Sequence, residues 1–222
     1  MYIICNNNGG IFATFAKYFF IMLKYLKEYY RKREIGRKKC CKGTEFLNIK
    51  EVRSLGFVYE INSDNSVKEL SLLYAFIKGK KIPFKGLVVV TKKGLFPTKA
   101  GKNGEKSVTV VPQELIKNEL VVILPENLTW IGAVKSGSAD EFFNGKFDLF
   151  VSFNGSNSFT LNSIAKKINA RMTIGMANEA GIEYTMVIEG TGKSILSSLE
   201  YISQIFHYLE TIKTIAEEHA DE

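Results

Sequence analysis

The sequence predicts an α/β fold, a three-layer sandwich in which a mainly parallel sheet of five or six strands lies between helices. Short β-like runs alternate with helical runs along most of the chain, and residues 54–91 have the pattern of a complete β-α-β unit, which requires parallel strands. The composition agrees, because 45% hydrophobic and 24% charged residues in a chain of 222 are typical of one domain with a well-filled core.

A long helical pattern precedes this body, from residue 12 to about residue 39. Apolar side chains recur there at three- and four-residue steps, and charged side chains fall on the opposite side, which predicts an amphipathic helix with a basic face. The apolar positions are Phe12, Phe15, Phe19, Leu23, Leu26 and Tyr30, and the opposing positions are Lys17, Lys24, Glu28 and Arg31.

Part of this helix, residues 11–26, is apolar enough to resemble a signal peptide or a membrane span. It contains Lys17 and Lys24, and its basic cluster follows it rather than precedes it. A span also requires roughly 20 apolar residues, so we expect neither. Met22 opens a segment that would itself make a plausible basic N-terminus, and the sequence leaves open whether translation starts at Met1 or at Met22.

The remaining elements are predicted within a single α/β domain, residues 44–222, behind a leader of residues 1–43. Turn-forming residues separate them, and the helix over residues 66–78 is predicted to begin with Ser66 as its N-cap and Glu69 three residues later. The strands are predicted over 54–61, 84–91, 107–111, 120–124, 147–153, 171–175 and 184–189, with helices over 66–78, near Gln113, over 159–169 and over 194–216. Between the second and third strands, glycines and lysines predict a basic loop or hairpin.

The positive charge is concentrated in the leader. Residues 1–43 carry +8 while the whole chain carries +7, so residues 44–222 carry −1. Such an asymmetry indicates a polyanionic partner, either nucleic acid or an anionic membrane. The predicted polyanion-binding residues are Lys17, Lys24, Lys27, Arg31, Lys32, Arg33, Arg37, Lys38, Lys39 and Lys42. The tyrosines among them would suit RNA stacking or a membrane interface equally well.

Neither a disulfide framework nor a metal site is expected. Three cysteines make no disulfide framework, and the adjacent Cys40 and Cys41 could bond to each other only in a strained geometry, which favours a reducing compartment. The two histidines, His207 and His219, and the lack of a Cys-x-x-Cys motif leave the usual zinc ligand sets incomplete. The sequence therefore predicts no cofactor and no metal.

A tempting motif, Gly-Thr-Gly-Lys-Ser at residues 190–194, follows a strand and precedes a helix as a phosphate-binding loop does. A Walker A loop needs a further glycine at position 187, where the chain has Val187. We therefore interpret the motif as a strand-to-helix turn capped by Ser194. Asp148 begins a strand, at the end opposite to where catalytic carboxylates lie in such sheets, and is predicted to be structural. His207, on the last predicted helix, is predicted to be either packed or at the rim.

Polar residues follow three of the predicted strands and form the best candidate ligand loop. In a parallel sheet such turns meet at the carboxyl edge, where backbone amides can bind an anion or a sugar. Asn, Gly and Ser are also the ordinary residues of tight strand-to-helix turns, so a purely structural role stays open. The candidates are Asn62, Asp64, Asn154, Ser156 and Asn178.

Four segments together resemble a bacterial domain-of-unknown-function family from residue 46 to 212: SLGFVYE at 54–60, LTWIG at 128–132, FDLFV at 147–151, and ARMTIG at 170–175 followed by the run at 184–189. The resemblance implies a Rossmann-like α/β core and a basic N-terminal leader, and brings no assigned activity. Residues 147–175 are also similar to one strand-helix-strand unit of heptosyltransferase-type glycosyltransferases, which is an analogy of fold only.

From these features we expect a cytoplasmic, non-enzymatic binding protein that docks on a polyanionic surface through residues 17–42. RNA or the ribosome is placed ahead of the inner face of the membrane. The alternative class is a glycosyltransferase-like or nucleotide- and phosphate-binding enzyme that uses the candidate ligand loop. The oligomeric state is left open.

Overall fold

The computed structural model describes residues 8–37, 43, 45–99, 108–154, 158–176, 182–189 and 196–212, with the side chains of the first helix described from Lys17 to Gly36. The helices are α1 Asn8–Arg37, α2 Asp64–Gly79, α3 Asp140–Phe143, α4 Phe159–Ala165 and α5 Ser198–Thr211. The strands are β1 Leu55–Ile61, β2 Phe84–Val90, β3 Thr98–Lys99, β4 Val108–Thr109, β5 Leu120–Ile123, β6 Lys146–Phe153, β7 Asn169–Gly175 and β8 Met186–Val187.

Six strands form one sheet in the order β5-β2-β1-β6-β7-β8, and every neighbouring pair is parallel. The predicted α/β fold with a mainly parallel sheet is therefore confirmed. If the six strands of the sheet are numbered by their order in the chain, their order across the sheet is 3-2-1-4-5-6. This is the strand order of Rossmann folds. The short strands β3 and β4 pair only with each other, antiparallel, so the predicted strand over 107–111 belongs to a hairpin outside the sheet.

The two faces of the sheet are covered by different helices, which makes the three layers. Alternate residues of β6 point to opposite faces, so that Leu149 joins the core under α2 and α5 while Phe150 joins the core under α3 and α4. Strand β1 is almost wholly buried, as expected of a central parallel strand covered on both faces.

Several element boundaries differ from the predicted ones because other side chains cap the helices. Helix α2 begins at Asp64, and its N-cap is Ser63, whose hydroxyl accepts a hydrogen bond from the backbone N–H of Ser66. The predicted N-cap at Ser66 is therefore wrong by three residues. Likewise, Ser197 and Glu200 form a capping box, so α5 starts at Ser198 rather than at 194.

Elsewhere the predicted elements are longer than the observed ones. Helix α4 ends at Ala165 and β7 already starts at Asn169, where the sequence pattern predicted helix up to 169. Helix α5 ends at Thr211 instead of 216, and the last strand contains only Met186–Val187. The brief helix predicted near Gln113 is present as a 3₁₀ turn, Gln113–Leu115.

Candidate functional site: the projecting helix and the carboxyl edge of the sheet

The C-terminal part of α1 is held against the body beside α4. The Arg31 Nε atom donates a hydrogen bond of 2.9 Å to the carbonyl oxygen of Ile131, and its guanidinium lies 4.9 Å from the ring centroid of Phe159, a cation–π distance. Near the other end of α4, the buried Lys166 donates a hydrogen bond of 3.1 Å from Nζ to the carbonyl oxygen of Ile35. Ile35 lies in the last turn of α1, where the carbonyl groups have no partner within the helix.

These contacts fix the direction of α1. Arg31 lies beside the first residue of α4, and Ile35 lies beside the residue that follows its end, so the two helices run the same way. Because α4 leads back from the carboxyl edge of the sheet, the residues of α1 that precede Arg31 extend past that edge. The segment from Lys17 to Tyr29 measures about 20 Å along the helix axis.

The projecting segment exposes large apolar side chains in every direction. Tyr18, Phe20 and Tyr25 are 68%, 69% and 73% exposed. Five consecutive large apolar residues cover all sides of a helix that turns 100° per residue, so no single apolar face exists there. The exposed apolar residues of α1 are Tyr18, Phe19, Phe20, Ile21, Met22, Tyr25, Leu26, Tyr29 and Tyr30.

The faces of α1 are therefore arranged differently from the prediction. Arg31, one of the predicted charged positions, contacts the body, whereas Phe19 and Leu26, two of the predicted apolar positions, are exposed. The reason lies in the partner surface, since the turn at Ile131 offers a carbonyl oxygen and α4 offers an aromatic ring, and both suit a guanidinium.

The predicted basic residues are divided between solvent and the body. Lys17, Lys24, Lys32 and Arg33 are exposed, whereas Lys27 and Arg31 are half-buried. The remaining four, namely the side chain of Arg37 together with Lys38, Lys39 and Lys42, lie outside the described part of the chain. The structure thus places four of the predicted cations where a partner could reach them.

Trp130 extends the exposed aromatic surface onto the body, and sequence reasoning missed it. Its ring packs edge-to-face against Tyr30 at 5.7 Å and is 57% exposed. A tight turn presents it, in which Gly132 has φ +94° and the Gly132 N–H bonds to the carbonyl oxygen of Thr129. Only glycine adopts this φ readily. As the single tryptophan of the chain, it could have been singled out as an interface residue.

The candidate ligand loop is only partly brought together. Asn154 follows β6 but is buried: its Oδ1 accepts from the Ser158 N–H at 2.7 Å and its Nδ2 donates to Asn162 Oδ1 at 2.7 Å. Asn154 therefore closes the turn into α4. Asn62 follows β1 and is exposed, and Asp64 is exposed in the first turn of α2. Ser156 and Asn178 lie outside the described residues.

A cleft of about 530 Å³ opens where β1 and β6 end, at the point where the connections leave for opposite faces of the sheet. Asn62 lines it, but Asn154 does not. Its acidic side chains are Glu60, Glu69 and Glu200, and the described residues that line it include no lysine or arginine. This lining does not suit a phosphate group.

Tyr59 lies in this cleft and bonds to Glu69, the phenol oxygen donating to Glu69 Oε2 at 3.1 Å. Burial raises the pKa of Tyr59 to about 12; a hydrogen bond from Ser198 opposes this, and the charge of Glu69 adds to it. A phenol with so high a pKa stays protonated near neutral pH, so it acts as a hydrogen-bond donor and not as a base.

Other candidate chemistry is also accounted for by structure. Asp148 accepts hydrogen bonds at the amino edge, as predicted for a structural residue. His207 is exposed on α5 beside Tyr208, which matches the predicted rim position. Among the described residues, no group of three His, Cys, Asp or Glu side chains could hold a metal ion. The Gly-Thr-Gly-Lys-Ser motif falls outside those residues.

Together, the strand order and the projecting helix define an α/β protein with a Rossmann-like core and a basic, aromatic N-terminal helix. Residues 20–212 match the family described as "Family of unknown function (DUF6913)". The match spans most of the chain, so the chain belongs to this family, which confirms the resemblance to a domain of unknown function. No curated protein and no solved structure gives a match.

The apolar stretch of α1 is the part of the chain that most resembles a membrane span. Within the helical segments that the structure describes, none is both long and apolar enough to cross a membrane.

Proposed function

We propose that this protein docks on the surface of an anionic membrane through α1, with cytoplasmic lipid as its polyanionic partner and the α/β body held outside the bilayer. The observation that carries the proposal is the composition of the projecting segment. Its exposed side chains include the aliphatic residues Ile21, Met22 and Leu26 as well as tyrosines and phenylalanines.

Aliphatic side chains are what favours lipid over RNA. An RNA-binding helix uses cations for phosphates and aromatic rings for stacking, and Ile21, Met22 and Leu26 can do neither. Each of them gains free energy on entering the acyl boundary of a membrane, by about 0.8 kcal/mol for every buried CH₂ group. We therefore place the membrane ahead of RNA, in reverse of the order that the sequence suggested.

Charge supports the same partner. Lys17, Lys24, Lys32 and Arg33 are exposed along α1, and basic residues near an anionic leaflet contribute about 1 kcal/mol each. Tyr30 and Trp130, which pack together where α1 meets the body, are of the types that concentrate at the level of lipid headgroups. Apolar, aromatic and basic groups thus occur together at one end of the molecule.

The test is vesicle flotation of the full chain, with the fluorescence of Trp130 as a second readout. Vesicles of phosphatidylcholine with phosphatidylserine should bind the protein and shift the emission to the blue, because a half-exposed indole moves into a less polar environment. Replacing Phe20, Met22 and Tyr25 by glutamate should abolish both effects.

The matched control replaces exposed apolar residues on the body, Phe46, Leu72 and Ile116, by glutamate, which changes the net charge equally. The proposal fails if the control variant and the α1 variant lose vesicle binding to the same extent. It also fails if the native protein does not bind the vesicles but binds poly(U) RNA, since that result would establish the RNA alternative instead.

The enzyme alternative receives no comparable support. It required the turns after β1, β6 and β7 to converge on one pocket, but Asn154 turns toward α4 while Asn62 lines the cleft on the opposite face.

A further inference from the structure

A second cleft, of about 440 Å³, lies at the carboxyl edge between β2 and β5. It is formed by the segment that follows β2, the hairpin strands β3 and β4, and the segment that follows β5. The volume lies within the range of small-molecule sites. The candidate ligand-loop residues Asn62, Asp64 and Asn154 do not line this cleft.

Its polar lining is basic. Lys92 and Lys93 come from the segment after β2 and Lys135 from the segment after β5, and the hydroxyl-bearing residues Thr98 and Thr109 also line the cleft. Gly94, next to the two lysines, has φ +73°, a backbone conformation that glycine adopts readily.

Glu126 is the carboxylate among the described lining residues, and it makes two hydrogen bonds. Its Oε1 accepts from Thr109 Oγ1 at 3.3 Å, and its backbone carbonyl accepts from Lys135 Nζ at 2.6 Å. The latter bond uses one of the three protons of the ammonium group and anchors Lys135 at the rim. Among the described residues that line the cleft, three cations against one carboxylate leave a positive excess.

The cleft and α1 meet at the same loop. Leu128 and Lys135 line the cleft, and Leu128 pairs with Val134 to close the tight loop whose tip, Trp130 and Ile131, contacts α1. Both features therefore lie at the carboxyl edge, on two sides of one short loop. A membrane that receives α1 would also face this edge.

We propose that this cleft binds a phosphate monoester group, the anion that three lysines from two segments fit best. A monoester carries −1.5 to −2 charges near neutral pH and has three strong acceptor oxygens. The assignment to a lipid headgroup such as that of phosphatidic acid rests on the proposed membrane docking. The anion site itself does not depend on membrane docking, because a soluble phosphate ester would present the same group.

The experiment compares vesicles that carry phosphatidic acid with vesicles that carry phosphatidylserine at matched surface charge, using the full chain. The native protein should bind the phosphatidic acid vesicles more tightly by at least about tenfold, the effect of one to two hydrogen bonds to a charged group. Replacing Lys92, Lys93 and Lys135 by glutamine should remove that preference and leave binding to phosphatidylserine through α1.

The matched control replaces Lys68, Lys117 and Lys146 by glutamine, three exposed lysines outside the cleft. It should retain the preference for phosphatidic acid. Equal losses in the two variants would overturn the cleft as a site, because only total charge would then matter. The cleft is equally overturned if the native protein shows no preference between the two lipids and no affinity for glycerol 3-phosphate.

A second measurement, with soluble ligands, tests this proposal separately from membrane docking. Titration with glycerol 3-phosphate and with inorganic phosphate, followed by calorimetry, should show binding that the glutamine variant loses. If no vesicle binds the protein but glycerol 3-phosphate does, and the variant loses it, the anion site stands with a soluble ester as its ligand, and the membrane proposal falls.

Discussion

At the scale of single residues, Asp148 shows how one carboxylate joins three parts of the chain. Its Oδ2 accepts from the backbone N–H groups of Arg53 and Ser54, at 2.9 and 3.1 Å, and its Oδ1 accepts from Arg171 at 3.3 Å. It thus ties the segment before β1 to β6 and β7. Burial alone would raise the pKa of Asp148, but the hydrogen bonds from Arg53, Arg171 and Ser54 outweigh burial and hold it below its ordinary value.

Replacing Asp148 by asparagine should lower the free energy of unfolding at neutral pH by about 1 to 2 kcal/mol, since hydrogen bonds to an ionised acceptor are lost. Because the pKa is depressed in the folded protein, this stabilisation is present above the unfolded pKa and disappears as pH falls through the folded pKa. Urea unfolding of both proteins between neutral and acidic pH should therefore show the two curves converging at low pH.

A suitable comparison is Glu141→Gln, which removes the exposed pair of Glu141 with Lys85. Exposed ion pairs contribute little, so this variant should unfold at nearly the native urea concentration. A difference between Asp148→Asn and the native protein that stays constant with pH would contradict the assigned role of the charge.

Residue types alone were enough to assign a structural role to Asp148, but they left two roles open for Asn154. A carboxylate at the start of a strand is remote from the carboxyl edge in any parallel sheet, whatever surrounds it. Asparagine after a strand, in contrast, can bind a ligand or cap the next turn, and Asn162, eight residues later, decides between the two here. No local pattern encodes that contact.

At the scale of elements, the sequence predicted the bounds of α1 well but did not predict which of its residues contact the body. The helix was predicted over 12–39 and is observed over Asn8–Arg37. Its periodicity predicted an apolar side opposite a basic side, yet residues 18–22 are exposed all round. The contacts with the body that the structure describes involve Tyr30, Arg31 and Ile35.

Replacing Arg31 by alanine should therefore detach the C-terminal part of α1 without unfolding the body. The hydrogen bond to Ile131 and the contact with Phe159 are lost together, and most of the stability of a helix in a protein comes from its tertiary packing. Hydrogen-exchange mass spectrometry should show faster exchange across α1 and unchanged exchange in β1 and β6.

The control for this experiment is Arg33→Ala, since Arg33 lies two residues away on the same helix and is exposed. It should leave the exchange of α1 as in the native protein. Faster exchange throughout the sheet in Arg31→Ala would mean that α1 is part of the folding core, against the view of a docked, projecting helix.

At the scale of the whole molecule, charge is segregated between the leader, with +8, and the rest of the chain, with −1. A body of nearly neutral charge has little general attraction to polyanions, so binding should depend on the leader and on the lysines of the cleft. The electrostatic part of such binding is screened by salt, with a Debye length of about 10 Å at 0.1 M ionic strength and about 3 Å at 1 M.

Vesicle binding by the full chain should consequently weaken as salt is raised from about 0.1 M to about 1 M, but should not vanish. The residual part is the burial of apolar side chains such as Phe20 and Tyr25, which salt does not screen. Measured on vesicles of phosphatidylcholine alone, binding should be weak and almost independent of salt. Complete release at high salt would instead indicate a purely electrostatic partner, as in nonspecific RNA binding.

The sequence by itself determined the fold class, the central strands, the long N-terminal helix and the charge asymmetry, because periodicity and composition are properties of the chain alone. The resemblance to a family of unknown function was also readable from it. Tertiary structure alone decided the strand order, the exposure of α1 and the grouping of Lys92, Lys93 and Lys135. Each of these depends on residues distant in sequence meeting at one edge of a sheet, and such meetings follow from packing.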